Sequence, residues 1–238
     1  MNDFPWLTAL ALVPLAGSVA VAALPTGREL LAKQVALGVS LLVFAGTVAL
    51  ALRFDPNSGT QFQFTEQYSW IPQFGVSYAV GIDGIALVLI AMATLLTPLC
   101  ILASWHDIDA TQRSVKGYFA LLLLLETFMV GVFAATDVFL FYVLFEAMLI
   151  PMYFIIGSYG GAQRSYAAVK FLLYSLAGGL LMLAAVIGLY VVSPGGPEAF
   201  LFQNLLGLQM DPSTEKLLFA GFFIAFAIKA PLFPFHTW

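Results

Sequence analysis

The sequence predicts an all-α integral membrane protein of about seven transmembrane helices. Apolar residues make up 61% of its 238 residues and charged residues only 9%, whereas a soluble domain carries roughly 25% charged residues. Mean hydropathy is +0.96, and apolar stretches of about 20 residues, the length that crosses a bilayer core, recur along the chain. These observations exclude a water-soluble fold, and the net charge of -4 gives no indication of a nucleic-acid partner.

The predicted spans form one transmembrane domain over residues 1–238. Short segments rich in proline, glycine and aspartate separate several of them, as expected for turns between helices. Only Thr136 and Asp137 lie between the fourth and fifth spans, which predicts a tight antiparallel hairpin. The spans are residues 4–24, 34–52, 85–105, 117–135, 138–157, 171–192 and 217–235.

The first apolar segment is predicted to be a retained helix. Ala20, Val21 and Ala22 faintly resemble a signal-peptidase site, but residues 1–3 contain no lysine or arginine, which a signal peptide carries there. The segment is also long enough to span the bilayer.

The distribution of positive charge predicts the orientation, because lysine and arginine are enriched in cytoplasmic loops. The loops after the first, third and fifth spans hold six of these residues, against Arg53 and Lys216 on the other side. The N-terminus is therefore predicted to lie outside and the loop 53–83 to be external. Residues 61–64 alternate polar and apolar side chains, which predicts a short external β-hairpin between spans two and three.

Three charged residues lie within predicted spans, where a central charge costs roughly 2.5–3.5 kcal/mol on insertion scales. Helical rise places Glu126 about 15 Å, Glu146 about 14 Å and Lys229 about 20 Å from the nearest span-end charge, so all three lie near the midplane. Groups at this depth suit proton transfer. A Glu–Lys pair that merely fixes helix registry remains the alternative, and for Glu126, in a plain leucine-rich context, this alternative is stronger.

Prolines accompany two of these charges. Pro151 removes a backbone donor and frees the carbonyl of Ala147, next to Glu146. Pro231 and Pro234 follow Lys229, so the seventh helix is predicted to break near Lys229, with the lysine facing unpaired carbonyls. Broken helices at membrane depth occur where they are buried in protein or line a hydrated cavity.

The sequence excludes redox cofactors of common types from this chain. Cys100 is the only cysteine, too few for an iron–sulfur cluster. His106 and His236 are the only histidines and lie far apart in sequence, which makes paired haem ligation improbable. No Gly-rich phosphate loop is present. No cofactor or metal site is therefore predicted.

Four segments resemble the antiporter-like subunit M family of bacterial respiratory complex I. The versions around the acid and the lysine are similar to this family rather than to its sister subunits L and N or to Mrp-type antiporters. The segments are Gly81-Ile82-Asp83-Gly84-Ile85, residues 96–105, Phe145-Glu146-Ala147-Met148-Leu149-Ile150-Pro151-Met152-Tyr153, and Lys229-Ala230-Pro231-Leu232-Phe233-Pro234-Phe235-His236 with the residues on either side.

The resemblance implies fourteen spans in a full-length member, with two inverted five-helix repeats that each contain a broken helix, and this sequence stops at Trp238, inside the first broken helix. It implies that Glu146 and Lys229 are the proton-channel pair of the first repeat. Glu126 and His236 are further candidates for proton transfer. It also implies a bacterial inner-membrane location, neighbouring subunits L and N, and flavin and iron–sulfur clusters in partner chains. An Mrp-type cation/proton antiporter subunit and a passive membrane scaffold remain the alternatives.

Overall fold

The computed structural model describes residues 4–108 and 113–238 as a helical protein with one small sheet. The elements run in the order α1 (Trp6–Ala23), α2 (Glu29–Ala51), β1 (Gln63–Ile71), β2 (Val76–Ile82), α3 (Gly84–Ala103), α4 (Val115–Ala134), α5 (Val138–Ala147), α6 (Leu149–Tyr159), α7 (Arg164–Val192), α8 (Phe202–Leu205) and α9 (Pro212–Lys229).

Within these ranges, six helical segments are long and apolar enough to cross a membrane. They are α1, α2, α3, α4, the pair α5–α6 and α7, which agree with the first six predicted spans. The seventh predicted span corresponds to α9, which ends at Lys229 instead of continuing to residue 235. The helix therefore stops where the break was predicted, and the crossing of the membrane by α9 stays a prediction.

The fifth predicted span corresponds to one crossing segment, Val138–Tyr159, with a single irregular residue at Met148. The backbone of Met148 stays in the right-handed helical region, with φ -59° and ψ -23°, and its N–H still donates to Leu144 O at 3.3 Å. Pro151 explains the irregularity, because it has no N–H to donate to the carbonyl of Ala147. Glu146 therefore lies beside a weakened turn of this helix.

The helices form two packed groups. Helices α1 to α4 pack on one another, and α7 packs on α6 and α9 and also contacts α5. Helix α4 belongs to both groups because it also contacts α5 and α6. Many large apolar side chains on the outer faces are exposed, among them Leu42, Val88 and Leu180. An apolar surface of this kind suits contact with lipid.

The β-hairpin predicted between spans two and three is present, although its first strand begins at Gln63, two residues later than predicted. The antiparallel strands pair Gln63 with Ile82 and Tyr68 with Tyr78. Glu66 fixes the hairpin to α1 by accepting hydrogen bonds from the backbone N–H groups of Leu7 at 2.8 Å and Thr8 at 3.3 Å. A carboxylate at a helix N-terminus satisfies donors that the helix leaves unpaired.

Asp137 fixes the start of α5 to the same hairpin. One carboxyl oxygen accepts from the N–H groups of Phe139 and Leu140, and the other accepts from Ser77 of β2, each at 2.9 Å. The predicted tight connection between the fourth and fifth spans thus also anchors the helix that carries Glu146.

Candidate functional site

The carboxyl group of Glu146 lies against the backbone of α7. It contacts Gly179 so closely that a Cβ atom built there would overlap both carboxyl oxygens. The Oε1 atom is buried and has no hydrogen-bond partner among the residues that the structure describes. Helix α7 can approach this acid only because position 179 has no side chain.

Lys229 is the last residue of α9 and its ammonium group is also buried. The Nζ atom lies 4.7 Å from the ring centroid of Phe145, a cation–π contact that partly replaces water around the charge. Phe145 in turn packs edge-on against Phe226, with ring centroids 5.8 Å apart. Across residues 4–108 and 113–238, the Nζ atom has no hydrogen-bond partner.

Glu146 and Lys229 are close enough for their charges to act on each other. Within the described chain, however, the Lys229 ammonium makes no hydrogen bond to the acid or to any other group. A buried ion pair that served only to lock helices would need such bonds to offset the free energy of dehydrating both charges. An acid and an amine that lie near each other without direct bonding can instead gain and lose protons.

The prediction that Lys229 faces unpaired carbonyls is wrong in this structure. The segment after the helix folds back and satisfies several of them, so that Ala227 O accepts from Leu232 N at 2.8 Å and Ile228 O accepts from the indole N–H of Trp238 at 2.7 Å. The ammonium group contacts the ring of Phe145 instead. The sequence could not show this because the donors come from a turn placed by tertiary packing.

Glu126 is fully buried in α4, and its surroundings differ from those predicted. Thr97 of α3 lies beside it, although the threonine hydroxyl donates to Ala93 O at 3.0 Å. Neither carboxyl oxygen of Glu126 has a hydrogen-bond partner in the described parts of the chain. The residues around Glu126 in the sequence are mostly leucine, but the fold brings Thr97, the residue before Pro98 in α3, beside it.

His236 lies apart from the acid–amine pair. It occupies a short 3-10 turn, Phe235–Thr237, after α9, and its ring stacks on that of Phe233 with centroids 5.6 Å apart. Its side chain is exposed. Of the four candidates, the structure brings Glu146 and Lys229 together and leaves Glu126 and His236 at separate positions.

Sequence reasoning missed Gly179 of α7, which contacts the acid, and the buried Ser175 on the same helix. Gly179 makes room for the acid, and the Ser175 hydroxyl, one turn earlier, is buried without a hydrogen-bond partner in the part of the chain that the structure describes. The one available signal was the pair Gly178-Gly179 in the middle of a long apolar helix, where glycine is unfavourable unless close packing requires it.

Two family descriptions match separate parts of the chain. Residues 57–132 match "NADH-ubiquinone oxidoreductase chain 4, amino terminus", and residues 135–238 match "NADH:quinone oxidoreductase/Mrp antiporter, TM". The second match contains both Glu146 and Lys229.

Among curated relatives, the NADH-quinone oxidoreductase subunit M of Mycobacterium tuberculosis is 47% identical over the whole of this chain, which covers 49% of that protein. The chain thus spans about half the length of the curated relatives it matches.

Solved structures agree in fold. A chain of respiratory complex I from Thermus thermophilus is 30% identical, with a TM-score of 0.82 over 98% of this chain and 45% of that one. A chain of the Mrp complex from Dietzia, at 22% identity, matches 98% of this chain and 24% of its own length with a TM-score of 0.75. At this low identity, the second likeness concerns the fold alone.

Proposed function

Because the chain belongs to the subunit M (chain 4) family of NADH-quinone oxidoreductases, we propose that it translocates protons through Glu146 and Lys229. The observation that supports this most directly is the buried Lys229 ammonium group, which lies beside Glu146 without a hydrogen-bond partner among the described residues. In this proposal the chain itself binds no redox cofactor. Flavin and iron–sulfur clusters belong to partner subunits, and the chain takes part in the enzyme as a membrane translocase.

The proposed mechanism is an electrostatic switch. A low-dielectric site disfavours both charged forms, whereas each partner's charge favours the charged form of the other. When Glu146 is ionised and near, Lys229 keeps its proton. When Glu146 is neutralised or moves away, Lys229 releases its proton. Lys229 lies at the end of α9, where small movements change its separation from Glu146.

The proposed assembly is a bacterial inner-membrane complex in which the chain neighbours the antiporter-like subunits L and N, with its N-terminus outside. The distribution of positive charge supports this orientation, because lysine and arginine are enriched in cytoplasmic loops. Lys33, Arg113 and Lys116 are among the six such residues in the loops predicted to be cytoplasmic. Residues 1–238 act as one transmembrane domain in which α9 is the seventh span, and they supply the first of two repeats of the longer protein. Glu126 and His236 remain secondary candidates for proton transfer.

The decisive experiment replaces both charged residues at once. The double variant Glu146→Leu/Lys229→Leu removes an acid and an amine together and leaves no unpaired buried charge, so the complex is expected to assemble. Proton translocation per NADH oxidised, measured in inverted membranes, is expected to fall. A passive scaffold would assemble and pump as the wild type does, and this result would contradict the proposal.

A stand-alone Mrp-type antiporter subunit is the second candidate, supported by the shared fold. Purification of the chain from native membranes separates the two. Recovery together with flavin- and iron–sulfur-containing subunits supports the oxidoreductase, whereas their absence from the purified complex supports the antiporter.

A further inference from the structure

Helix α7 packs on both α5 and α9, and each of these three helices holds one buried polar atom without a hydrogen-bond partner among the described residues. These atoms are Oε1 of Glu146 in α5, Nζ of Lys229 in α9 and Oγ of Ser175 in α7, and each is buried and has no hydrogen-bond partner across residues 4–108 and 113–238. Buried polar groups in folded proteins nearly always have a partner, either in the protein or in bound water. Three such groups on neighbouring helices therefore require an explanation in common.

Ser175 is placed beside Glu146 by the geometry of α7. It precedes Gly179 by four residues, and side chains at this spacing lie on one face of a helix, about one turn apart. Gly179 touches the Glu146 carboxyl group. The serine side chain is 5% exposed, so it faces the protein interior rather than lipid.

The packing of α7 against α9 places Lys229 level with the turn of α7 that runs from Ser175 to Gly179. The two helices run antiparallel, and a Cβ atom built at Gly221 would lie 2.8 Å from the Cβ of Ala185. Further along the contact, a Cβ at Gly178 would lie 3.1 Å from the side chain of Ile228. Continuing this register by one residue puts Lys229 midway along α7 between Ser175 and Gly179.

The segment after α9 folds back and contacts both α7 and α9 through Trp238. The ring of Trp238 packs against Phe171, one turn before Ser175, with centroids 5.0 Å apart. Its indole N–H donates to Ile228 O, the residue before Lys229. Trp238 therefore links α7, one turn from Ser175, to the last turn of α9.

A group that both donates and accepts hydrogen bonds can link the Lys229 ammonium to the Glu146 carboxylate. An ammonium group donates and cannot accept hydrogen bonds, and an ionised carboxylate accepts and cannot donate. A hydroxyl does both, as does water. Ser175 is thus the one member of the three that can accept a hydrogen bond from the lysine side and donate one to the acid side at the same time.

We propose that the Ser175 hydroxyl and bound water form the hydrogen-bonded bridge through which a proton passes between Lys229 and Glu146. This inference rests on the proposed function. In this step the Oε1–H bond of protonated Glu146 breaks as an O–H bond forms on the bridge, and a bridge O–H bond breaks as an N–H bond forms on the neutral Lys229 amine. The products are a carboxylate and an ammonium group, the state in which the switch lets Lys229 keep its proton, and the bridge is unchanged in composition.

The test compares Ser175→Ala with Ser175→Thr in the intact membrane complex. Loss of the hydroxyl is expected to lower NADH-driven proton translocation about fivefold, the factor that one hydrogen bond is worth. Threonine keeps the hydroxyl and is expected to pump clearly better than alanine. A serine that serves only packing gives the opposite order, because alanine fits easily and the added methyl group of threonine does not.

Ser40→Ala is the matched control. Ser40 is also a fully buried helical serine, but its hydroxyl donates to Leu37 O of its own helix at 2.9 Å. It is expected to pump as the wild type does. Should Ser175→Ala fail to assemble, Ser175→Cys, which has similar volume and a much weaker donor, is expected to show the same loss.

Parallel measurement of Glu146→Gln separates the two proposals. If Glu146→Gln loses pumping while Ser175→Ala pumps normally, or if threonine is no better than alanine, the bridge is wrong and the acid–amine pair stands. If Glu146→Gln and Lys229→Arg both pump normally, both proposals are overturned.

Discussion

Gly179 of α7 lies directly against the carboxyl group of Glu146 of α5, in space that any side chain at position 179 would fill. The acid is thereby held on the side of α5 that faces α7, near the Lys229 amine at the end of α9. The position of a proposed proton-transfer group thus depends on the absence of a side chain on another helix.

Gly179→Ala is expected to lower proton translocation, because the added methyl group displaces the Glu146 carboxyl from the amine. Inserting one methyl group into a packed site costs about 1–3 kcal/mol, and the flexible Glu146 side chain can move to relieve the overlap. The measurement is proton translocation per NADH oxidised, together with the amount of assembled complex. Gly38→Ala is the control, since nothing lies within 4 Å of a Cβ built there. Equal pumping by the two variants would show that the contact with Gly179 does not position the acid.

Lys229→Arg is expected to assemble normally and to fail to pump. Arginine keeps the positive charge and the favourable contact with the ring of Phe145, but it effectively never releases its proton. Lys229→Ala is expected to show the same loss of proton translocation in inverted membranes. Lys216→Arg, an exposed lysine at the other end of α9, is the control. Full pumping by an assembled Lys229→Arg complex would remove Lys229 from the proton path.

Glu126→Gln is expected to leave more proton translocation than Glu146→Gln. Both substitutions keep the shape of the side chain and remove its charge. Only Glu146 has an amine beside it, however, whereas the recorded polar neighbour of Glu126 is Thr97, whose hydroxyl already bonds to its own helix. The same pumping assay ranks the two variants, and equal losses would place Glu126 on the proton path as well.

Glu66→Ala is expected to destabilise the protein by about 1–2 kcal/mol, because the first turn of α1 loses its acceptor for two backbone N–H groups. A lower Tm of the detergent-solubilised protein and faster proteolysis within the hairpin are the measurements. Ser69→Ala, an exposed substitution on the same strand, is expected to change stability by less than about 0.5 kcal/mol. Identical Tm values for both variants would mean that Glu66 does not hold the hairpin on α1.

A cysteine at Gly59 is expected to react with an impermeant external thiol reagent, and one at Ala162 is expected to be shielded. The distribution of lysine and arginine places these loops on opposite sides of the membrane. Because Cys100 is exposed, it is first replaced by alanine. Labelling of the Ala162 position from outside in intact cells would reverse the proposed orientation.

The six spans that satisfy the length and hydropathy criteria could be predicted because transfer into lipid depends on local composition, which the sequence displays directly. The end of α9 at Lys229 followed from Pro231 and Pro234 for the same reason, since proline acts on its own helix. Pro151 acts in the same local way at Met148 and leaves the fifth span as one crossing segment.

The sequence by itself determined the membrane class, the approximate bounds of six spans and the identity of the buried acid and amine. Only the tertiary structure decided that Glu146 and Lys229 meet while Glu126 and His236 stay apart. It also decided that Thr97 lies beside Glu126, that the Trp238 indole N–H donates to the carbonyl of Ile228 next to Lys229, and that Gly179 makes room for the Glu146 carboxyl group. The physical reason is that hydropathy and proline effects act within one helix, whereas each of these contacts joins different elements through the register in which they pack.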